Sequence, residues 1–291
     1  MTIPPIAAEE VFHLGSLPVT NALVNGWIAV VFFVVVGFLL KRSFVADGTP
    51  GKLQNFMEAL LEFMLSYVDQ VTHDREKSKR FLPIVGSLFL FIMFSNLLGQ
   101  LPGTGSLTVT ALHHGEVEAI PLLRPAGSDL NLTLAMALLT VVASHIFGII
   151  TVGFFAHWNR FIAVGNIVKG FKKGGVNILV GLIEAMVGLI EFSAEIAKVL
   201  SLSLRLFGNI FAGEVLMTVL YSLISVGVPL PFMGLELIVA VIQAMVFSML
   251  ALVYLTILTD APHGDETAHH EDELGEAHGE GHAHDPQPQH A

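Results

Sequence analysis

Cysteine is absent from all 291 residues, which excludes a disulfide framework or a thiolate metal site and leaves the redox compartment open. Charge is scarce too. Asp, Glu, Lys and Arg make up 13% of the chain against 53% apolar residues, with a mean hydropathy of +0.71, a balance that excludes an ordinary soluble domain. The short alternating segments of a membrane barrel are missing. No basic stretch precedes the first apolar run, as a cleaved leader requires. No G-x-x-x-x-G-K-S/T phosphate loop occurs, so no nucleotide site is expected; neither an enzyme activity nor a cofactor is assigned. Lys and Arg are absent from residues 260–291, which hold nine Asp or Glu and seven of the thirteen His. The net charge of −11 is therefore a property of this tail: the fourteen Lys and Arg against the sixteen remaining acids leave −2 for residues 1–259.

What is present is a set of apolar runs, several near or beyond the ~20 residues that a helix needs to cross a bilayer. Trp27 to Leu40 is the centre of a first span, closed by Lys41 and Arg42. Between Pro50 and Lys79, Phe56, Leu60, Phe63, Met64 and Val68 recur at helical spacing against Glu58, Glu62 and Asp69, which predicts an amphipathic helix on the membrane surface or on a partner. Phe81 to Leu101 is the clearest span. A loop through His113, His114 and Arg124 leads to an apolar run from Asp129 to Trp158, then to a basic segment with Arg160, Lys169, Lys172 and Lys173.

Val176 to Ser222 contains no strong turn signal and reads as one helix of roughly 70 Å at 1.5 Å per residue. It carries Glu184, Glu191, Glu195, Lys198, Arg205 and Glu214, so a long tilted helix running against other protein is expected. A turn at Val226 to Pro231 and a last helix, Phe232 to Leu258, complete a helical hairpin. The fold class is all-α and polytopic, with about five membrane-embedded helices, a surface amphipathic helix, one embedded domain over 1–259 and a polar tail over 260–291 for which disorder is the default. The tail's histidines are of a composition that takes up Zn²⁺ or Ni²⁺, but solvation alone accounts for them and no metal site is assigned. Lys and Arg crowd the segments 41–80 and 160–173. The positive-inside rule then puts those two in the cytoplasm, the N-terminus and the Arg124 loop outside, and the tail in the cytoplasm.

At about 100° per residue and with Arg205 at zero, Lys198 falls near ~20°, Glu191 and Asn209 near ~40°, Glu184 near ~60° and Glu195 near ~80°. These groups share one face; Glu214 falls on the opposite side, where a packed neighbouring helix is expected. On the last helix Glu236, Gln243 and Tyr254 lie within ~20° of one another. Two adjacent polar faces suit a water path, while the plainer reading is helix-to-helix pairing. Lys198 has a partner at helical spacing in Glu195. Arg205 has none: positions 201, 202, 208 and 209 are Ser, Leu, Gly and Asn. A guanidinium stays charged, so its charge is left to Glu236, to water, or to a carboxylate on another subunit. Gly208, Ala212 and Gly213 leave room for a close neighbour.

SLSLRLFGNIFAGE, residues 201–214, resembles the signature of F-type ATP synthase subunit a, of the bacterial or organellar kind; FLPIVGSLFLFIMFSNLLGQLPG, SDLNLTLAMAL and LELIVAVIQAMVF resemble its other blocks. The resemblance covers about Pro50 to Leu258. It implies a multi-pass subunit of the cell inner membrane with two offset half channels that bring ions to and from a ring of c subunits, partnered by that c-ring, the subunit b stalk and the rest of the complex, and by no nucleic acid. Arg205 then faces the ring's carboxylates. Asn209, Glu214, Glu236 and Gln243 match outer half-channel positions, Lys198 and Ser201 lie nearer the inner one, and Tyr254 matches a position near the cytoplasmic end; Glu191 and Glu195 are further lining candidates. This chain departs from the pattern in having Glu236 where some relatives have histidine, and Val199 where many have proline, which leaves the bend of the long helix open. The rival from another class is a self-contained secondary transporter with Arg205 holding an anionic substrate. Its paired halves are not seen, because SLSLRLFGN has no second copy.

Overall fold

The computed structural model describes residues 5–44, 51–101, 103–113, 116–155, 157–158, 176–224 and 227–259. The tail 260–291 lies outside the described residues. Six α-helices account for most of the described chain: α1 (Asn21–Ser43), α2 (Lys52–Thr72), α3 (Arg75–Gln100), α4 (Leu130–Val152), α5 (Val176–Leu223) and α6 (Pro229–Thr259). Five of them, all but α2, contain a window long and apolar enough to cross a membrane.

Local chemistry sets the helix ends. Thr20 caps α1, its hydroxyl accepting from the Leu23 amide at 3.3 Å, and Lys41 and Arg42 occupy the last turn, where cations suit the helix dipole. Asp74 and Asp129 cap α3 and α4 by accepting amide hydrogens two or three residues on. α5 runs unbroken through Val199, so the missing proline corresponds to a continuous helix.

Two features differ from the sequence expectation. The apolar run to Trp158 is not one helix: α4 stops at Gly153, whose φ of 95° few side chains adopt, and the chain turns so that the His157 amide donates to the Gly153 carbonyl at 3.0 Å. The segments before α1 and between α3 and α4 are not plain loop either. β1 (Glu10–Leu14) pairs with β2 (Leu17–Thr20), and β3 (Thr108–His113) with β4 (Glu116–Pro121), as two antiparallel hairpins.

The core is a bundle in which α3 and α4 pack on α6, α4 on α5, and α5 on α6. Phe89 and Ile92 of α3, Met136 and Ala137 of α4, Leu202, Leu206 and Ile210 of α5, and Ala244, Phe247 and Ala251 of α6 form its centre. Small residues are prominent, as expected where helices associate by close packing rather than by a hydrophobic drive. Large side chains such as Val31, Phe38, Leu189 and Ile190 are exposed, which suits acyl chains as solvent. On α2 only part of the apolar face is covered by the chain: Met64 and Val68 are buried, while Phe56 and Phe63 are exposed.

Candidate functional site

The α5/α6 hairpin brings the two polar faces together at three levels. Lys198 Nζ lies 5.2 Å from the centroid of the Tyr254 ring. Farther along α5, Asn209 Nδ2 donates to Gln243 Oε1 at 2.5 Å. Farther still, Glu236 Oε1 occupies the space beside Gly213, where a built Cβ would come within 2.5 Å of it. Positions thus rise on α5 as they fall on α6, in steady antiparallel register. Glu236 Oε1 and Gln243 Nε2 are buried with no hydrogen-bond partner among the described residues.

Arg205 sits between the first two levels, where the packed side chains are mostly apolar, with the hydroxyls of Ser203 and Ser248 also buried. Leu202 and Leu206 flank it on α5, and Phe247 with Ala244 and Ala251 faces them from α6; all five are buried. Arg205 itself is exposed, with Ser201, Leu204, Asn209 and Ala212 also open on α5, and a Cβ at Gly208 would meet nothing within 4 Å. Among the described residues no carboxylate pairs with Arg205. Glu236 is not its partner: it lies at the level of Gly213, eight residues and about 12 Å along the helix.

Glu214 corrects a second expectation. It does not face a neighbouring helix; it meets Arg124, from the segment between β4 and α4. Arg124 Nε donates to Glu214 Oε2 at 3.0 Å and lies 2.9 Å from Oε1. The guanidinium's other nitrogens donate to Ala7 O at 3.2 Å and Pro5 O at 2.9 Å. With 2% of its side chain exposed, Arg124 is an arginine in an environment that tolerates a cation only when it is paired. Its own carbonyl accepts from Asn25 Nδ2 at 2.7 Å, and the same amide reaches Ser95 O at 2.8 Å, so α1, α3 and the Arg124 segment are tied at one point. Gly127 fixes the segment against α3 and α5, donating to Asn96 Oδ1 at 2.8 Å in a space where a Cβ would clash with Asn96 and Ile210.

Beside the pair lies a cavity of about 460 Å³. Gln100, Thr104, Arg124, Glu214, Tyr221 and Glu236 are among its lining residues. Both carboxylates therefore border one space at the Arg124 end of the hairpin.

At the other end of the hairpin Lys198 donates to Glu195 Oε1 at 2.6 Å, as the spacing predicts. Sequence reasoning missed the rest of this cluster. His145 of α4 places Nε2 3.7 Å from Glu195 Oε2, and its Nδ1 lies 3.0 Å from His157 Nε2. Glu191, half-buried, lies one turn before Glu195. The side chain of Glu184 lies outside the described residues. The helical wheel thus groups Lys198, Glu195 and Glu191 with Arg205 and away from Glu214, and along the axis Arg205 lies between them and Glu214.

The arrangement is that of an α-helical polytopic membrane protein with ionisable side chains in its spans, grouped at two levels on either side of an exposed arginine. The family described as ATP synthase A chain matches residues 23–256, and the ATP synthase subunit a of Moorella thermoacetica is 31% identical over 248 residues, covering 84% of this chain and 94% of that protein. The chain belongs to the F-type ATP synthase subunit a family, a non-catalytic, ion-transporting part of the synthase's membrane sector.

Proposed function

We infer that the chain forms the static half of a rotary proton path, with two half channels that do not meet inside it. The observation that carries this reading is the apolar layer of Leu202, Leu206, Ala244, Phe247 and Ala251 between the two polar levels. Between those levels the described residues of α5 and α6 hold no titratable group but Arg205, so on this reading a proton on Glu236 or Glu214 does not run through the subunit to Glu195; it leaves sideways at the open face and returns beyond the layer. That face carries Arg205 and the small residues Ser201, Gly208 and Ala212, a surface suited to close approach by a c-ring whose carboxylates visit Arg205 in turn. The guanidinium cannot deprotonate, so it favours the ionised form of each arriving carboxylate and drives its proton off.

On this reading Glu214, Glu236, Asn209 and Gln243 serve the outer half channel, through the 460 Å³ cavity. Glu191, Glu195, Lys198, Ser201 and Tyr254 serve the inner one. The N-terminus and the Arg124 segment lie outside the cell inner membrane, the tail 260–291 lies in the cytoplasm, and the exposed face of α2 with Phe56 and Phe63 is available to lipid or to the subunit b stalk. The test is ATP-driven acidification of vesicles carrying the assembled complex with Arg205→Ala. Pumping is expected to vanish while assembly is retained; pumping at the wild-type rate refutes the reading.

A further inference from the structure

Two histidines outside the α5/α6 hairpin are built into the cluster at Glu195. We propose that His145 and His157 are a proton relay between Glu195 and the membrane face at the C-terminal end of α4, an inference that rests on the half-channel reading above. His145 spans the gap: one ring nitrogen lies 3.7 Å from Glu195 Oε2 and the other 3.0 Å from His157 Nε2. The first distance is longer than a hydrogen bond and has to close by about 0.7 Å for a proton to pass; the second is a direct hydrogen bond.

The backbone is shaped around this contact. Gly153, with φ 95°, ends α4 and turns the chain back, which returns His157 to the helix that His145 occupies, twelve positions earlier. The ring of His157 then fills the space beside Gly148, where a Cβ would come within 2.8 Å of His157 Cε1 and of the Leu258 carbonyl. His157 is 4% exposed. A buried imidazole against a second imidazole, which is itself aimed at a carboxylate, is a sequence of groups that each both accept and donate a proton. Among the described residues, charged or titratable groups around His145 include Glu195 and Lys198 from α5 and His157; Tyr254 from α6 faces Lys198.

The transfer balances without any co-reactant. Protonated Glu195 gives its proton to His145 Nε2 and becomes a carboxylate; His145 releases its Nδ1 proton to His157 Nε2 and is again neutral. The resulting imidazolium at His157 then gives up its Nδ1 proton, from a nitrogen that lies on the Gly148 side of the ring, so the ring has to turn for that proton to leave. Both rings finish in the opposite tautomer, so His145 and His157 must each flip or exchange a ring proton before the next transfer. The reverse order carries a proton inward to Glu195.

The experiment uses the assembled complex in vesicles, with His145→Gln, His157→Gln and the corresponding alanine variants, and reads ATP-driven acidification with and without added imidazole. A glutamine keeps volume and hydrogen bonding but cannot shuttle a proton, so each Gln variant is expected to pump roughly tenfold more slowly, at the low end of acid–base effects. The double Gln variant is expected to be no slower than either single one, since both break the same path. Imidazole is expected to restore part of the rate in the alanine variants and none in the Gln variants, a response that a purely structural pair does not give. Wild-type pumping in both Gln variants overturns the relay, as does failure of all four variants to assemble, which assigns the pair to folding. Arg205→Ala, run in parallel, separates the two claims. If it pumps normally, the half-channel reading has failed; if it is silent while the Gln variants pump normally, only the relay has failed.

Discussion

The two polar clusters on either side of Arg205 differ in how they hold a carboxylate. At the Arg124 end the carboxylates sit by a 460 Å³ cavity, and Glu214 is held by an arginine from ninety residues away in sequence, itself fixed by backbone carbonyls near the N-terminus. At the other end Glu195 is held by Lys198, one turn along the same helix, and faces a histidine pair. The first cluster is assembled by tertiary structure and the second mostly by helical spacing. Loss of a partner is therefore expected to be costly at the first and mild at the second.

The largest effect is expected from Arg124→Met, which leaves Glu214 beside a hole and releases the N-terminal contacts. Breaking one side of a buried pair costs about 3–5 kcal/mol, and because Glu214 is 21% exposed the lower figure, about 3 kcal/mol, is expected here. Thermal unfolding in detergent reads it as a clear fall in Tm. The double variant Arg124→Met with Glu214→Leu is expected to recover most of that stability without recovering proton pumping, since a well-packed apolar pair replaces a buried ion pair at little net cost. Recovery of pumping in the double variant would remove Glu214 from the path.

Next comes Gly213→Ala. The added methyl falls 2.5 Å from Glu236 Oε1, so the carboxylate has to move, and misplacing a reacting group by about 1 Å can cost up to 100-fold in rate. A drop of roughly tenfold in ATP-driven acidification is expected, with partial return on adding Glu236→Asp, which shortens the displaced side chain. Unchanged pumping in Gly213→Ala shows that the position of Glu236 does not matter. The smallest effect on stability is expected from Lys198→Met. The Lys198 side chain is 22% exposed against 2% for Arg124 and His145 remains beside Glu195, so Tm is expected to fall by less than in Arg124→Met, and a shift comparable to that of Arg124→Met would erase the contrast between the clusters.

Much of this was legible in the sequence because the membrane forces it to be. Spans must be long and apolar, so all five were visible as runs, and the continuity of Val176 to Leu223 followed from the lack of any breaker. Arg205 stood out because no acid lies one turn away, and the wheel that grouped it with Lys198, Asn209 and Glu195 rests on helix geometry alone. Arg124 was not legible as a partner. It lies after a hairpin, where no periodicity links it to Glu214. The hairpin itself left a signal that apolar content obscured: Val109 and Ala111 alternate with Thr108 and Thr110, and Val117 and Ala119 with Glu116 and Glu118. His157 was hidden for the opposite reason, since Gly153 sits in a run so apolar that it reads as uninterrupted span. The pairing of Glu236 with Gly213 rather than Arg205 needed the register of α5 on α6, which no single-helix pattern contains.

The apolar layer at the level of Arg205 also has an electrical consequence. Between the Lys198 and Asn209 levels lie eleven residues of helix, about 16 Å, half of the ~30 Å hydrocarbon thickness. On the half-channel reading proposed above, aqueous paths approach that layer from both sides and act as conductors, so that the membrane voltage drops across the layer rather than across the whole bilayer. One elementary charge moving through 100 mV is worth about 2.3 kcal/mol, and nearly all of that work is then delivered beside Arg205, as a lateral pull on the charge that has to pass it. Phe247 and its neighbours are, in these terms, the insulator that turns a voltage into a direction of travel.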